Sequence, residues 1–328
     1  MSKARDLADL GAVTSRLDTV GASDGALSNR NAIINGEFSV SQRGDYTSAT
    51  VMTDNAYIVD RWKTYRGAGS ATFQDMGGSL KLVATSAYSG TLRIQQYVEW
   101  ANLSTRVGNT FTLSAYMKTT SSNARLLVYT GTGWLTGTTT HSGSGDWERI
   151  TFTFTMPDAS SYGSVVVAVG IDGVDSANVS IANGESVEIK QVQLEVGDTA
   201  TSFEHEDISV TRAKCLRYYE KSYDDPVAPA TVTNYGVYWQ NEVSNRYYDT
   251  LATLVFKVEK RAEPTMLFYP HTGTMTANHA FLERGTTSFT NTVHVWSRGL
   301  KGVNVYSSTG GQYTQCQMMF HWVADAEF

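Results

Sequence analysis

Trp134 stands in a glycine-rich run, Gly131-Thr132-Gly133-Trp134-Leu135-Thr136-Gly137, where an indole has few structural duties. A flat aromatic face offers the C–H surface of a pyranose a large apolar contact at low entropic cost, and planar polar side chains beside it can bond the hydroxyls. Trp134 is therefore a candidate sugar platform; the competing reading is a ring that plugs its own loop or packs on a neighbouring subunit. Trp100 closes the run Gln95-Gln96-Tyr97-Val98-Glu99-Trp100 and can line a concave face with Arg93 and Gln95, or pack at a core rim. Towards the C-terminal side Tyr235, Tyr238, Trp239, Tyr247, Tyr248, Trp296, Tyr306 and Tyr313 are dense. A small domain cannot hide them all, and Trp239, Trp296 and Tyr306 join the candidates.

Catalytic chemistry finds less support. The six histidines show no His-x-x-x-His or His-Glu-x-x-His spacing. The nearest approach to a nucleophile elbow, His141-Ser142-Gly143-Ser144-Gly145-Asp146, has no strand-to-helix turn around it and reads as a flexible loop. Asp172 with Asp175, and Asp224 with Asp225, fall in turns, where solvated caps are the ordinary role. Carboxylates paired across strands would still make a glycosidase, and that option stays open. No phosphate-cradling loop or nucleotide fingerprint is present.

A formal net charge of −6 and an isoelectric point near 5.5, without a block of Lys or Arg, argue against binding nucleic acid or an anionic membrane. No apolar run is long enough to span a bilayer, and no signal-peptide core is expected at the N-terminus. The two cysteines, Cys215 and Cys316, read as buried free thiols, although membership of one small sheet would make them neighbours.

The elements that must position these residues are mostly strands. Residues 1–20 carry Leu7, Leu10, Thr14 and Leu17 at helical spacing, which predicts a short amphipathic helix, either a frayed terminus or a docking and oligomerising element. Residues 21–31 read as a linker. Alternating runs then follow at 57–65, 79–84, 91–98, 110–117, 124–130, 148–155, 164–171 and 186–196, separated by Gly, Ser, Asn and Asp turns, the texture of a sandwich or jelly roll. Gln191-Val192-Gln193-Leu194-Glu195-Val196-Gly197 alternates polar and apolar residues and stops at glycine, so it closes the first β domain. A helix-like stretch over 205–214 runs on into a strand, and Pro226 and Pro229 mark a loop. Candidate strands at 235–239, 248–258, 265–269, 279–284, 288–295, 300–305 and 315–324 make a second, smaller β domain. The expected fold is mainly β: a jelly-roll β-sandwich over 31–206, a smaller β-sandwich over 207–328, and the short helix before them.

Asn31-Ala32-Ile33-Ile34-Asn35-Gly36-Glu37-Phe38, with Gln42-Arg43-Gly44 and residues 57–62, resembles the opening of many bacteriophage tail-fibre and tail-appendage proteins. The likeness continues, in the family's order, at 146–157, at 191–203, at Ala213-Lys214-Cys215-Leu216-Arg217-Tyr218-Tyr219, at Arg261-Ala262-Glu263-Pro264-Thr265 and at Trp322-Val323-Ala324-Asp325-Ala326-Glu327. Lys3-Ala4-Arg5-Asp6-Leu7-Ala8-Asp9-Leu10-Gly11 is similar to a recurrent start in such virion proteins. Residues 31–206 also resemble the carbohydrate-binding modules attached to glycan-degrading enzymes.

The resemblance implies a homotrimeric virion tail fibre assembled in the host cytoplasm, docked to the particle through residues 1–30 and recognising host-surface glycans without catalysis. A structural or capsid-decorating fibre is the alternative, and a capsule depolymerase a third. It implies core positions for Trp62 and Trp147. No cofactor is expected apart from one structural calcium, of the kind that ties first and last strands in such modules, with Asn35, Glu37, Asp60 and Glu195 as oxygen ligands.

Overall fold

A computed structural model describes residues 30–242, 250–272, 277–284, 287–307 and 316–328. The helix expected over 1–20, and Tyr247, Tyr248 and Tyr313, lie outside the described residues. The chain forms two compact units. The first takes the described residues before Ser39, with Thr47–Ala56 and Trp62–Glu206; the second takes Ser39–Tyr46, Tyr57–Arg61 and Asp207–Phe328.

The first unit is a two-sheet β-sandwich of the jelly-roll type. Its strands are β1 (Thr50–Val51), β2 (Lys63–Arg66), β3 (Ala71–Asp75), β4 (Leu80–Ala84), β5 (Tyr88–Gly90), β6 (Leu92–Glu99) and β7 (Thr110–Thr119). They continue with β8 (Ala124–Tyr129), β9 (Trp134–Thr136), β10 (Trp147–Thr155), β11 (Ser164–Ile171), β12 (Val179–Ile181) and β13 (Ser186–Val196). One sheet has the order β1-β3-β4-β13-β7-β10 and the other β2-β6-β11-β8-β9, with β5 and β12 paired apart. Between the sheets lie Leu82, Leu113 and Ile189 from one side and Ile94, Val167, Val169, Leu126 and Val128 from the other, all fully buried. Each such side chain contributes about 1.5–3 kcal/mol of burial. In β11, Ser-Val-Val-Val-Ala-Val-Gly-Ile, every position is buried, so the usual alternation is lost in this central strand.

Trp62 fixes the entry to this sandwich: its indole is buried, donates to the Asn35 carbonyl at 2.8 Å and packs 5.4 Å from the Phe38 ring. Of the run expected at 57–65 only 63–65 is a strand, as the start of β2, and Arg61 adopts a left-handed φ of 72° just before it. Trp147 differs from its expected core position. It begins β10, an edge strand, and is half-buried with the Lys190 ammonium 4.1 Å from its ring.

The closing strand β13 departs from simple alternation. A bulge shifts its register on β7 between Lys190 and Gln193, with Gln191 at φ 53°. There Val192 donates to the Gly36 carbonyl at 3.0 Å and its own carbonyl accepts from the Asn31 amide at 3.1 Å. Gln193 and Glu195, the polar members of the pattern, are buried because residues 201–204 fold back over them. Gln193 Oε1 accepts from Glu204 N at 2.8 Å, and Glu195 accepts from Thr201 N at 2.9 Å and Thr201 Oγ1 at 2.6 Å.

The second unit begins with α1 (Ile208–Leu216), whose Asp207 cap accepts from Ser209 N at 2.8 Å. Its strands are β14 (Tyr219–Lys221), β15 (Tyr238–Glu242), β16 (Thr250–Val255), β17 (Thr265–Tyr269), β18 (His279–Arg284), β19 (Thr287–Arg298), β20 (Gly302–Ser307) and β21 (Cys316–Asp325). They form a curled antiparallel sheet, β14-β21-β18-β19-β20-β16, with β15 and β17 also on β21. Met318, Phe320, Trp322 and Ala324 of β21 meet Leu254, Phe268, Leu282 and Val305 in its core. Cys215 is buried and forms no disulfide.

Segments from early in the chain complete this unit. Arg43 pairs with Asp325 at 3.3 Å and Glu327 at 3.4 Å, and stacks 3.8 Å over the Tyr219 ring. Arg61 pairs with Glu327 and lies 3.4 Å over Tyr218. Arg261 donates to the carbonyls of Ala326 and Glu327, each at 2.9 Å. The stretch 325–327 is thus held by three guanidinium groups.

Candidate functional site

One face of the five-stranded sheet belongs to the core through Leu92, Ile94 and Val98 of β6. Period two therefore sends Arg93, Gln95 and Tyr97 to the opposite face. Pairing sets Tyr65 and Lys63 of β2 beside Arg93 and Gln95, and Gly170, Ala168 and Val166 of β11 on their other side. β8 adds Arg125, Leu127 and Tyr129, and β9 adds Thr136 and Trp134. The result is a buried floor that includes Val166, Ala168 and Leu127, with four aromatic rings, Tyr65, Tyr97, Tyr129 and Trp134, on the same face; the rings are all at least partly exposed.

The rings are held by one another. Trp134 lies 5.2 Å from Tyr129, which meets Tyr162 edge-on at 5.3 Å. Gly131 lets its loop close on Tyr162: at φ 88°, an added Cβ would stand 2.5 Å from the tyrosine Cβ. Trp134 is thus half-buried, its ring braced and part of its surface left open.

Arg93 is buried, with 2% of its surface exposed, and its guanidinium lies 4.5 Å from the Tyr65 ring and 4.5 Å from the Trp134 ring. Nη1 donates to the Asp172 carboxylate and, at 2.6 Å, to Ser176 Oγ. Gly170, at φ 148°, allows β6 and β11 to close at this point, since a Cβ there would come within 2.7 Å of Arg93 Cα. Asp172 is buried too, and burial outweighs the Arg93 charge, pushing its carboxyl up from the ordinary carboxylate range. Asp175 and Ser176 adopt left-handed φ angles of 53° and 60°, and the Asp175 amide donates to Thr136 Oγ1 at 2.9 Å. Arg93 and Thr136 between them fix the 172–176 loop as an end wall of the face.

Of the sequence candidates, Arg93 and Trp134 are brought together. Trp100 is not with them: it starts the short helical turn Trp100–Asn102 beyond the end of β6, about 20 Å along the strand from Arg93. In the second unit Trp296 sits at a register shift of β19 on β20 and is 70% exposed. It meets Tyr306 edge-on at 6.1 Å, and Tyr306 stacks on His294 at 4.9 Å. Trp239, on β15, is exposed and donates to Asn241 Oδ1 at 3.0 Å.

The four oxygen ligands expected for calcium are engaged in separate hydrogen bonds. The Asn35 carbonyl takes the Trp62 indole, Glu37 pairs with His205 at 2.5 Å, Glu195 clasps Thr201, and Asp60 accepts from Gln42 N at 2.6 Å and Gln42 Nε2 at 2.7 Å. Among the described residues no group of three or more His, Cys, Asp and Glu side chains is placed to hold a metal ion. The 141–146 loop is likewise a structural closure. Ser142 and Ser144 donate to Glu148, whose carboxyl those bonds lower to about 2. His141 Nδ1 accepts from Gly143 N at 2.9 Å and stands as no base to either serine.

Residue type alone does not single out Tyr65, Tyr97 and Tyr129. The signal for Tyr97 lies in β6 itself, where Arg93, Gln95 and Tyr97 alternate against Leu92, Ile94 and Val98.

No protein-family description matches the sequence, and no curated protein matches it. Solved structures with local likeness include a CBM4 carbohydrate-binding module (14% identity, 50% of this chain and 98% of that one, TM-score 0.30). Others are TmCBM61 in complex with β-1,4-galactotriose (14%, 52% and 100%, 0.31) and the CBM22-1 xylan-binding domain of Paenibacillus barcinonensis Xyn10C (14%, 49% and 100%, 0.28).

Proposed function

We propose that this chain is a non-catalytic glycan-binding protein whose site is the outer, ring-bearing face of the five-stranded sheet. The observation that carries the reading is the placement of Tyr65, Tyr97, Tyr129 and Trp134 on one face with a buried floor, with Gln95 and Arg125 among them. Rings fixed by packing lose little entropy on meeting a sugar, and the polar groups between them can orient it. The finer reading is attachment of a bacteriophage tail fibre to host-surface glycans, as a homotrimer docked to the particle through residues 1–30; its support is the ordered series of tail-fibre-like segments along the sequence. Several copies would raise weak single-site affinity through effective concentration.

The test is an oligosaccharide array probed with the full chain and with Trp134→Ala. Binding by the wild type that falls about tenfold or more in the variant is expected, an effect the size of a central aromatic anchor. Equal binding by both would remove the face from consideration. Light scattering showing a monomer at high concentration would end the trimer proposal.

A further inference from the structure

We infer that Gln95 is the hydrogen-bonding determinant of this face and that it selects a neutral sugar carrying a free vicinal diol. The inference rests on the glycan-binding reading and adds the chemical class of the ligand.

Gln95 occupies the middle of the face, between Lys63 on β2 and Ala168 on β11. Only 4% of its surface is exposed. Its neighbour Gln96, on the core side, has both ends of its amide used, accepting from Ile34 N at 2.9 Å and donating to the Ile34 carbonyl at 2.8 Å. The Gln95 amide makes no such bond with any described residue, and its polar atoms are not sealed from the surface. Because those atoms reach the surface, water can satisfy them in the free protein, and a ligand group can take that water's place. No structural use explains the amide here, where leucine would fill the same space. A ligand lying on the floor would bond it.

The amide presents an acceptor and two donors side by side. Adjacent hydroxyls of a sugar ring each donate and accept, so a vicinal diol can give to the carbonyl oxygen and take from the nitrogen at once. A carboxylate offers only acceptors and would oppose the amide oxygen. Arg93 adds little attraction for an acid, because it is already neutralised by Asp172; Lys63 and Arg125 stand on the same face, so acidic oligosaccharides are the competing ligands in the test. With rings on the same face to hold the C–H surface, the floor reads the hydroxyl edge.

The experiment uses the full chain with Gln95→Leu, measuring thermal unfolding without sugar and affinity for the neutral oligosaccharide that the wild type binds best on an array. The expected result is a melting temperature equal to or above the wild type, with affinity down about tenfold or more. The same oligosaccharide with its vicinal hydroxyls methylated should bind the wild type as weakly as the native sugar binds the variant. A clear fall in melting temperature would overturn the inference by showing that the amide supports the fold. Affinity within twofold of wild type, or undiminished binding of the methylated sugar, would overturn it while leaving the glycan-binding reading intact. A wild type that binds acidic oligosaccharides alone would overturn it in the same way, and one that binds none would take the reading down with it.

Discussion

The guanidinium of Arg93 lies 4.5 Å from the ring of Trp134, and both residues come from stretches whose types alone made them sugar-binding candidates. Their roles differ. The indole keeps exposed surface, whereas the cation is buried under the face and tied to Asp172. Arg93 is a brace for the rings and the end wall.

That division predicts the effect of breaking the pair. Arg93→Met leaves a buried carboxylate without its counter-ion and should lower unfolding free energy by about 3–5 kcal/mol, whereas pairing it with Asp172→Asn should recover much of the loss. Urea unfolding of the two single variants and the double variant checks this. Equal losses in the Arg93→Met and double variants would contradict it.

A pH dependence follows from Asp60. Burial is the largest influence on it and raises its carboxyl from 3.8 to about 6, despite the Arg43 charge and two bonds from Gln42. Between those values the folded protein holds a proton that the unfolded chain has released, so this group makes stability fall as pH rises through that window. Asp60→Asn cannot titrate. The variant's stability minus the wild type's should climb by an amount on the order of 2–3 kcal/mol between pH 4 and 6 and stay flat above, on top of a constant offset from the altered Gln42 bonds. Melting temperatures taken across pH 3.5–8 would show a level difference if Asp60 were not the cause.

Cutting the chain before Asp207 should not yield a folded second unit. Such a fragment lacks Arg43 and Arg61, leaving Glu327, only 3% exposed in its side chain, without either partner. Circular dichroism and proteolysis of residues 207–328 should report an unfolded or aggregating chain, and co-expression of residues 31–65 should not be needed if this is mistaken.

Strand positions were legible because alternation is local. The runs read at 164–171 and 186–196 are β11 and β13, and the run at 91–98 is β6 within a residue at each end. Pairing was not legible. Arg93 looks like a free ligand until the order β6-β11 brings Asp172, 79 residues away, onto it. Gln193 and Glu195 look like solvent-facing positions because nothing in their own stretch announces that residues 201–204 return to cover them. The two early segments, Ser39–Tyr46 and Tyr57–Arg61, carry no compositional mark of membership in the second unit. Trp296 stands out because aromatic density is visible without topology, whereas its exposure at a register shift leaves no mark in the sequence.

The two early segments also impose an order in time. Arg43 leaves the ribosome long before its partner Asp325, which is 282 residues further along. At about 5–20 residues per second that interval is roughly 15–55 s, ample for the sandwich to form around the gap. Throughout synthesis Arg43 and Arg61 must wait for their carboxylate partners Asp325 and Glu327. A nascent chain stalled after residue 206 is therefore expected to expose Arg43 and Arg61 to protease while its β-sandwich is already resistant.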